Sequence, residues 1–232
     1  MQTLNANEIY NMDCLTGMKE IPDDTADLVV TDPPYLINYK SNTPHNKNAR
    51  SRKPIIGDDA DEDLIRGYSK ECYRILKPDT ALYMFCSTKT VDVFKPALTE
   101  AGFNFKNIII WYKRSGTAGD LEAQYQQFYE PILYVNKGRA KMNGKRLPDI
   151  WEFPRVSWQV QRHQNQKPLN LIKLCMEKHS KEGDLVFDGF MGSGTTAIAA
   201  IQLNRKYLGF EIDPVFYFDA KARIAEELAP KV

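Results

Sequence analysis

The 232-residue sequence has little excess of charge of either sign: 31 Lys and Arg stand against 30 Asp and Glu, for a net charge of +1. That excludes a polycation, so any nucleic-acid surface is local. Long hydrophobic runs are missing as well. No apolar stretch approaches the roughly 18–20 residues that cross a bilayer, so no membrane span is expected. Residues Met1 to Ile9 lack a basic region followed by an apolar core, so no secretory leader is expected. Cysteine is scarce, and Cys14, Cys72, Cys86 and Cys175 form no CxxC spacing. This argues against a structural zinc site and for reduced thiols in the cytoplasm. Internal repeats, low-complexity segments and a clear linker are also lacking. The chain therefore reads as a single domain over residues 1–232. Hydrophobic residues make up 43% of it, enough for one good-sized core.

What is present is an alternation of short apolar runs with helical periodicity. Glu8–Asp13, Asp27–Thr31, Ala81–Cys86, Ile108–Tyr112, Pro131–Val135, Asp184–Asp188 and Lys206–Ile212 read as strands. Leu15–Ile21, Asp61–Leu76, Val91–Ala101, Pro168–His179 and Thr195–Ile201 read as helices, and Lys77-Pro78-Asp79 reads as a stop. The acids Asp58 to Asp63 suit the dipole at a helix start and are read as structural. Strands alternating with helices predict an α/β fold with a doubly wound, mostly parallel sheet.

One strand ends in Thr31-Asp32-Pro33-Pro34-Tyr35. Two prolines stop the ladder and hold Asp32 extended. An ordinary Pro-Pro turn and a ligand-facing turn both fit that stretch taken alone. Two basic segments follow. Residues 38–57 lose all apolar periodicity and carry Lys40, Lys47, Arg50, Arg52 and Lys53. Residues 137–163 interleave Arg139, Lys141, Lys145 and Arg146 with Trp151, Phe153 and Trp158. Both suit nucleic-acid contact. A solvated loop for the first, and tryptophans tucked onto the core for the second, are the plainer alternatives.

The second constellation is Asp188-Gly-Phe-Met-Gly-Ser-Gly194 between a strand and a small-residue helix, with Glu211 at the tip of the next strand. No Lys precedes Thr195, which excludes a phosphate loop, and GxxGxG is not the dinucleotide fingerprint GxGxxG. Glycines that admit a ligand, with an acid placed for ribose hydroxyls, fit a nucleoside cofactor without pyrophosphate.

Taken together the two constellations carry a resemblance. Asp32-Pro33-Pro34-Tyr35 resembles the catalytic motif of amino-group DNA methyltransferases, and Asp188 to Thr196 resembles their cofactor motif. Catalytic motif first and cofactor motif last resembles the permuted β group of that family. The resemblance implies a Rossmann-like fold, S-adenosylmethionine (SAM) as cofactor, no metal, and methyl transfer to adenine N6 of a flipped base in double-stranded DNA. Cytosine N4 is the alternative, followed by RNA adenine, a protein amide or a non-catalytic regulator. By resemblance Asp32 and the Pro33 carbonyl accept from the target amino group, Pro34 helps hold them, and Tyr35 stacks on the base. Asp13, Cys14, Asp32, Lys167, Asp188, Phe190, Gly192, Ser193, Gly194, Thr195 and Glu211 are then expected around the cofactor, with Lys167 near its methionine carboxylate. Glu130-Pro-Ile-Leu resembles the segment near the target base. Gly189 stands where the family usually has proline, a departure expected to have little consequence. A homodimer, a companion restriction endonuclease, a cytoplasmic location and no membrane contact are implied as well.

Overall fold

The computed structural model describes residues 4–36, 62–116, 121–157 and 166–229. The basic loop with Lys40, Lys47, Arg50, Arg52 and Lys53 lies outside the described residues, as does Trp158. In chain order the elements are β1 (Glu8–Tyr10), α1 (Cys14–Met18), β2 (Ala26–Thr31), α2 (Glu62–Ile75), β3 (Leu76–Phe85), α3 (Val91–Glu100), β4 (Asn104–Tyr112), β5 (Tyr129–Lys137), β6 (Ile150–Glu152), α4 (Leu169–His179), β7 (Leu185–Asp188), α5 (Thr195–Gln202), β8 (Lys206–Phe210) and α6 (Pro214–Leu228). The strands form one sheet in the order β1-β8-β7-β2-β3-β5-β4-β6.

The centre of the sheet is built on buried β-branched and aliphatic runs. Leu28, Val29 and Val30 of β2 are fully buried. Successive side chains of a strand point to opposite faces. Leu28 and Val30 join an apolar layer with Met176 of α4, Ala199 of α5 and Ile224 of α6. Val29 joins the other layer, with Met18 of α1, Ile65 of α2 and Phe94 of α3. Helices on both faces explain why β2 reads as an unbroken apolar run. Each such side chain stabilises the fold by roughly 1.5–3 kcal/mol relative to an exposed one. Cys72 and Cys175 are core residues of these layers, as their helical spacing suggests.

From β2 the chain crosses through α2 to β3 on one side, and from β7 it crosses through α5 to β8 on the other. β2 and β7 pair in parallel, Leu28 opposite Val186 and Val29 opposite Phe187. The winding reverses between them, and in such sheets ligands bind beyond the carboxyl ends of those two strands.

The sheet is mostly parallel, as expected, with one reversed strand, and two features differ from the sequence reading. β5 runs antiparallel to both β3 and β4, while the remaining pairs are parallel. Lys77-Pro78-Asp79 is part of β3, because its ladder with β2 passes from Ala26–Leu76 to Leu28–Ala81 and needs no donor from Pro78. Trp151 belongs to β6, pairs with Trp111 and is 7% exposed, so it is core and not a nucleic-acid contact.

Candidate active site

Thr31 closes β2, and the chain turns through buried Pro33 and Pro34, leaving Asp32 and Tyr35 partly exposed at the sheet rim. The Tyr35 hydroxyl lies 2.8 Å from Asp32 Oδ1 and 3.3 Å from Glu130 Oε2, and its proton serves one carboxylate at a time. Lys167 Nζ donates to Asp32 Oδ2 at 2.6 Å and to the Tyr35 oxygen at 3.0 Å. The same ammonium stands 3.5 Å from Glu130 Oε2. Lys113 Nζ donates to Glu130 Oε1 from the other side. The lysine side chains are 6% and 5% exposed, so two buried ammoniums hold together two part-buried carboxylates and one phenol.

Charge within the cluster is unevenly shared. Burial pushes the Asp32 carboxyl up, and Lys167 only partly reverses this. Burial also pushes Glu130 up, but Lys167 and Lys113 together outweigh it and hold its carboxyl below the usual range. Burial lowers Lys113 despite Glu130, whereas Asp32 and Glu130 outweigh burial at Lys167 and raise it. The surroundings push the two carboxylates in opposite directions, Glu130 toward the anion and Asp32 toward the neutral acid.

The neighbouring strand end supplies the second half. Asp188 closes β7 and accepts from Thr31 Oγ1 at 3.0 Å, from the Phe190 N–H at 3.0 Å and from Thr196 Oγ1 at 2.7 Å. It is buried, and burial pushes it up to about 6 against those donors. Its role is to tie β2, the glycine turn and α5 together. The turn then passes through Gly192 at φ 50° and Gly194 at φ 77°, left-handed conformations that favour glycine. Ser193 is buried, and its carbonyl and the Thr195 hydroxyl each accept from Arg223 of α6 at 3.1 Å. Glu211, the first residue after β8, accepts from the Gly192 N–H at 2.7 Å and from the Asp213 N–H at 2.8 Å. Burial pushes Glu211 up to about 7.

The DNA methylase family matches residues 26–222. This chain belongs to the DNA methylase family. It is similar to DNA adenine methyltransferase YhdJ of Escherichia coli (strain K12), with 30% identity over 97% of this chain and 87% of that one. Among solved structures it is similar to the M1.HpyAVI–SAM complex, with a TM-score of 0.72, 25% identity, and 94% and 98% of the two chains covered. The cytosine-N4-specific PvuII DNA methyltransferase shares the fold, with a TM-score of 0.76 at 18% identity and coverage of 98% and 88%.

In this DNA methylase Asp13 and Cys14 lie just beyond β1, at the same end of the sheet as Asp32, Asp188 and Glu211. Asp13 caps α1, accepting from the Thr16 N–H at 2.8 Å. Burial pushes the Cys14 thiol up to about 12, so it is no nucleophile at neutral pH. Lys167 stands on Asp32 and Glu130, a placement that its sequence context did not suggest. Arg139, Lys141, Lys145 and Arg146 are not brought to the site. Because β5 is antiparallel, Lys137 pairs with Thr80 in the middle of β3, while Ile132 pairs with Phe85 at its end. The Arg139 N–H donates to Asp79, and the Lys145 carbonyl accepts from Lys178 at the end of α4. All four basic residues are exposed, and the contacts of Arg139 and Lys145 lie away from the Asp32 rim.

Gly189 also departs from expectation. Its N–H donates to the Tyr68 hydroxyl at 3.0 Å, and a Cβ there would stand 2.4 Å from the Tyr68 ring. Proline would lose the donor and collide, so the glycine is matched to Tyr68, whose hydroxyl also lies 2.9 Å from Thr31 Oγ1. Sequence reasoning missed Tyr68, Lys113 and Arg223. Tyr68 looked like one apolar position on a helix face, and nothing local marks the other two. Among the described residues, no group of His, Cys, Asp and Glu could hold a metal, and no helix is long and apolar enough to cross a membrane.

Proposed function

We propose that the protein transfers a methyl group from SAM to N6 of an adenine flipped out of double-stranded DNA. The observation that carries this reading is the juxtaposition of Asp32 and the glycine turn, joined through the Thr31–Asp188 hydrogen bond at 3.0 Å. The name of YhdJ supports adenine over cytosine. The residues present fit the cofactor. Glu211 accepts two backbone hydrogen bonds, and a carboxylate with about four lone-pair sites has acceptor capacity left for ribose hydroxyls. Asp13, Cys14, Phe190, Gly192, Ser193, Gly194, Thr195 and Glu211 would hold it, with Asp188 supporting the turn. SAM, when bound, supplies an electrophilic methyl group on a sulfonium sulfur.

The protein's part is orientation. An adenine amino nitrogen is a poor nucleophile because its lone pair is delocalised into the ring. Acceptors on its two N–H groups favour a more tetrahedral nitrogen. The Asp32 carboxylate and the Pro33 carbonyl are those acceptors, and the buried prolines hold them in place. Lys167 donates to Asp32 Oδ2 and works against burial, favouring the ionised form that accepts. The Tyr35 hydroxyl is engaged by Asp32, which fixes the ring as a stacking face. A paired amino group is out of reach in a duplex, so the base must be extruded, as DNA methyltransferases do. The same reading includes a homodimer, a companion endonuclease and a cytoplasmic location, all carried by the family resemblance alone.

The test is incubation with labelled SAM and unmethylated duplex DNA, followed by nucleoside analysis. N6-methyladenine is expected with the native protein. Asp32→Ala is expected to abolish it while leaving SAM binding intact. N4-methylcytosine as product would replace the adenine assignment, and near-native transfer by Asp32→Ala would overturn the role of Asp32.

A further inference from the structure

The cluster around Lys167 holds one more pair than the mechanism uses. Glu130 lies at the start of β5, on the ladder itself, opposite Trp111. Its Oε1 takes Lys113, which follows β4 directly and is fixed by its own N–H to the Phe128 carbonyl at 2.8 Å. The Lys113 ammonium also stands 5.0 Å from the Trp111 ring centroid. The other oxygen, Oε2, faces Lys167 at 3.5 Å and Tyr35 at 3.3 Å. Lys167 is thus shared between Asp32 and Glu130, and Lys113 decides how strongly Glu130 competes for it.

We propose that Glu130 and Lys113 form a positioning pair that fixes Lys167 between the two carboxylates and so sets how much positive charge Asp32 meets. The proposal rests on the reading of Asp32 as the acceptor for the target amino group. The pair touches no reacting atom. It acts through Lys167 and Tyr35, with Glu130 on the β4–β5 ladder and Lys113 just past the end of β4. The charged and titratable groups around Asp32 are Lys167, Glu130 and Tyr35, with Cys86 of the loop after β3 and Asp188 of β7 farther off. Lys113 borders Glu130 from the far side, and Arg155 stands near Lys113.

Opposite consequences follow from removing the two halves. Without the Glu130 charge, Lys167 turns wholly to Asp32, and Asp32 ionises at lower pH. Without the Lys113 charge, Glu130 pulls harder on Lys167, and Asp32 ionises at higher pH. A purely structural pair would not produce shifts of opposite sign. The experiment measures the acid limb of single-turnover methylation of duplex DNA, together with a carbon-13 NMR titration of the Asp32 carboxyl, assigned with Asp32→Asn. Glu130→Gln is expected to move both readouts down by about 1 pH unit, the size of effect one neighbouring charge exerts. Lys113→Met is expected to move them up by a similar amount. The double variant Lys113→Met/Glu130→Gln keeps the packing with neither charge, and is expected to fall between the single variants. SAM affinity, read by calorimetry, should change less than threefold in all three. Shifts of the same sign, or none in variants that still bind SAM, overturn the positioning role. If either single variant no longer binds SAM, the double variant decides: failure there too makes the pair structural and overturns the proposal. A native protein with the NMR shifts but no N6-methyladenine would instead overturn the functional reading and leave the pair standing.

Discussion

Cofactor affinity should rise about tenfold between about pH 6 and about pH 8, because Glu211 titrates there. Its carboxyl is buried at 9% exposure and pushed up to about 7. On the proposed reading ribose hydroxyls donate to it, so the ionised form would bind and the protonated form would bind poorly. The ionised fraction is about one-eleventh at a pH one unit below that value and about ten-elevenths one unit above it. Apparent affinity scales with the competent fraction, so the expected ratio is about ten, or about 1.4 kcal/mol. The cofactor's own amino group, of a type that ionises near about 7.7–8.0, titrates in the same range. Glu211→Gln therefore supplies the baseline, since it keeps the shape and one acceptor while removing the proton equilibrium. Calorimetric titration with SAM at both pH values is the assay. The reasoning fails if the ratio of native to Glu211→Gln affinity is the same at both. Folding responds with the opposite sign. A carboxyl raised from 4.5 to about 7 favours the folded state while protonated, so stability is lost as pH rises through about 7. Near neutrality the ligand-free protein should melt lower as SAM binds better.

Four further outcomes follow. Gly189→Pro should destabilise the fold by about 2 kcal/mol or more, from one buried hydrogen bond lost and a clash with Tyr68; an unchanged denaturation midpoint would contradict this. His179 lies between Tyr83 at 2.6 Å and Tyr134 at 2.8 Å, and burial pushes it down to about 4. Its folded value lies below the ordinary 6.5, so stability should fall with pH between 6.5 and about 4, by up to roughly 3 kcal/mol; His179→Phe should flatten that slope in urea titrations. Neutralising Arg139, Lys141, Lys145 and Arg146 together should leave DNA affinity within about threefold, because the segment makes its contacts with Asp79 and the end of α4 and not with the Asp32 rim. Neutralising Lys47, Arg50, Arg52 and Lys53 should weaken binding and flatten its salt dependence, and equal effects of the two sets in a filter-binding series would reject the distinction.

Much of this architecture was legible because it is local. The β2 run, its Pro-Pro stop, the β7–turn–α5 unit and the helix ending at His179 all follow from periodicity and from residues with special backbone demands. Strand direction is different. A β5 buried on both faces reads the same whether it runs up or down, so its reversal left no mark, and with it went the placement of the 137–146 run. β6 is only three residues long, too short for a period, so Trp151 looked like part of a basic segment. α6 was unread because Val215 and Phe218 are exposed, which blurs its apolar stripe. The site was legible in its backbone motifs and illegible in its ion pairs. Asp32 and Lys167 lie 135 residues apart, and no local pattern encodes which cation will meet which carboxylate.

The β2–β7 pairing also governs how the chain can be made. Thr31 meets Asp188 across 157 residues of sequence, whereas β3, β4 and β5 assemble from near neighbours. Contacts of such long range carry the loop-closure entropy of everything between them and set the slow step of folding. As the chain emerges from the ribosome, β2 forms long before β7 exists. Until then Leu28 and Val29 line an open strand edge, the kind of edge that invites pairing with another chain. The two halves of the active site thus come together late, and a chain stopped before Leu185 is an aggregation hazard as well as an inactive enzyme.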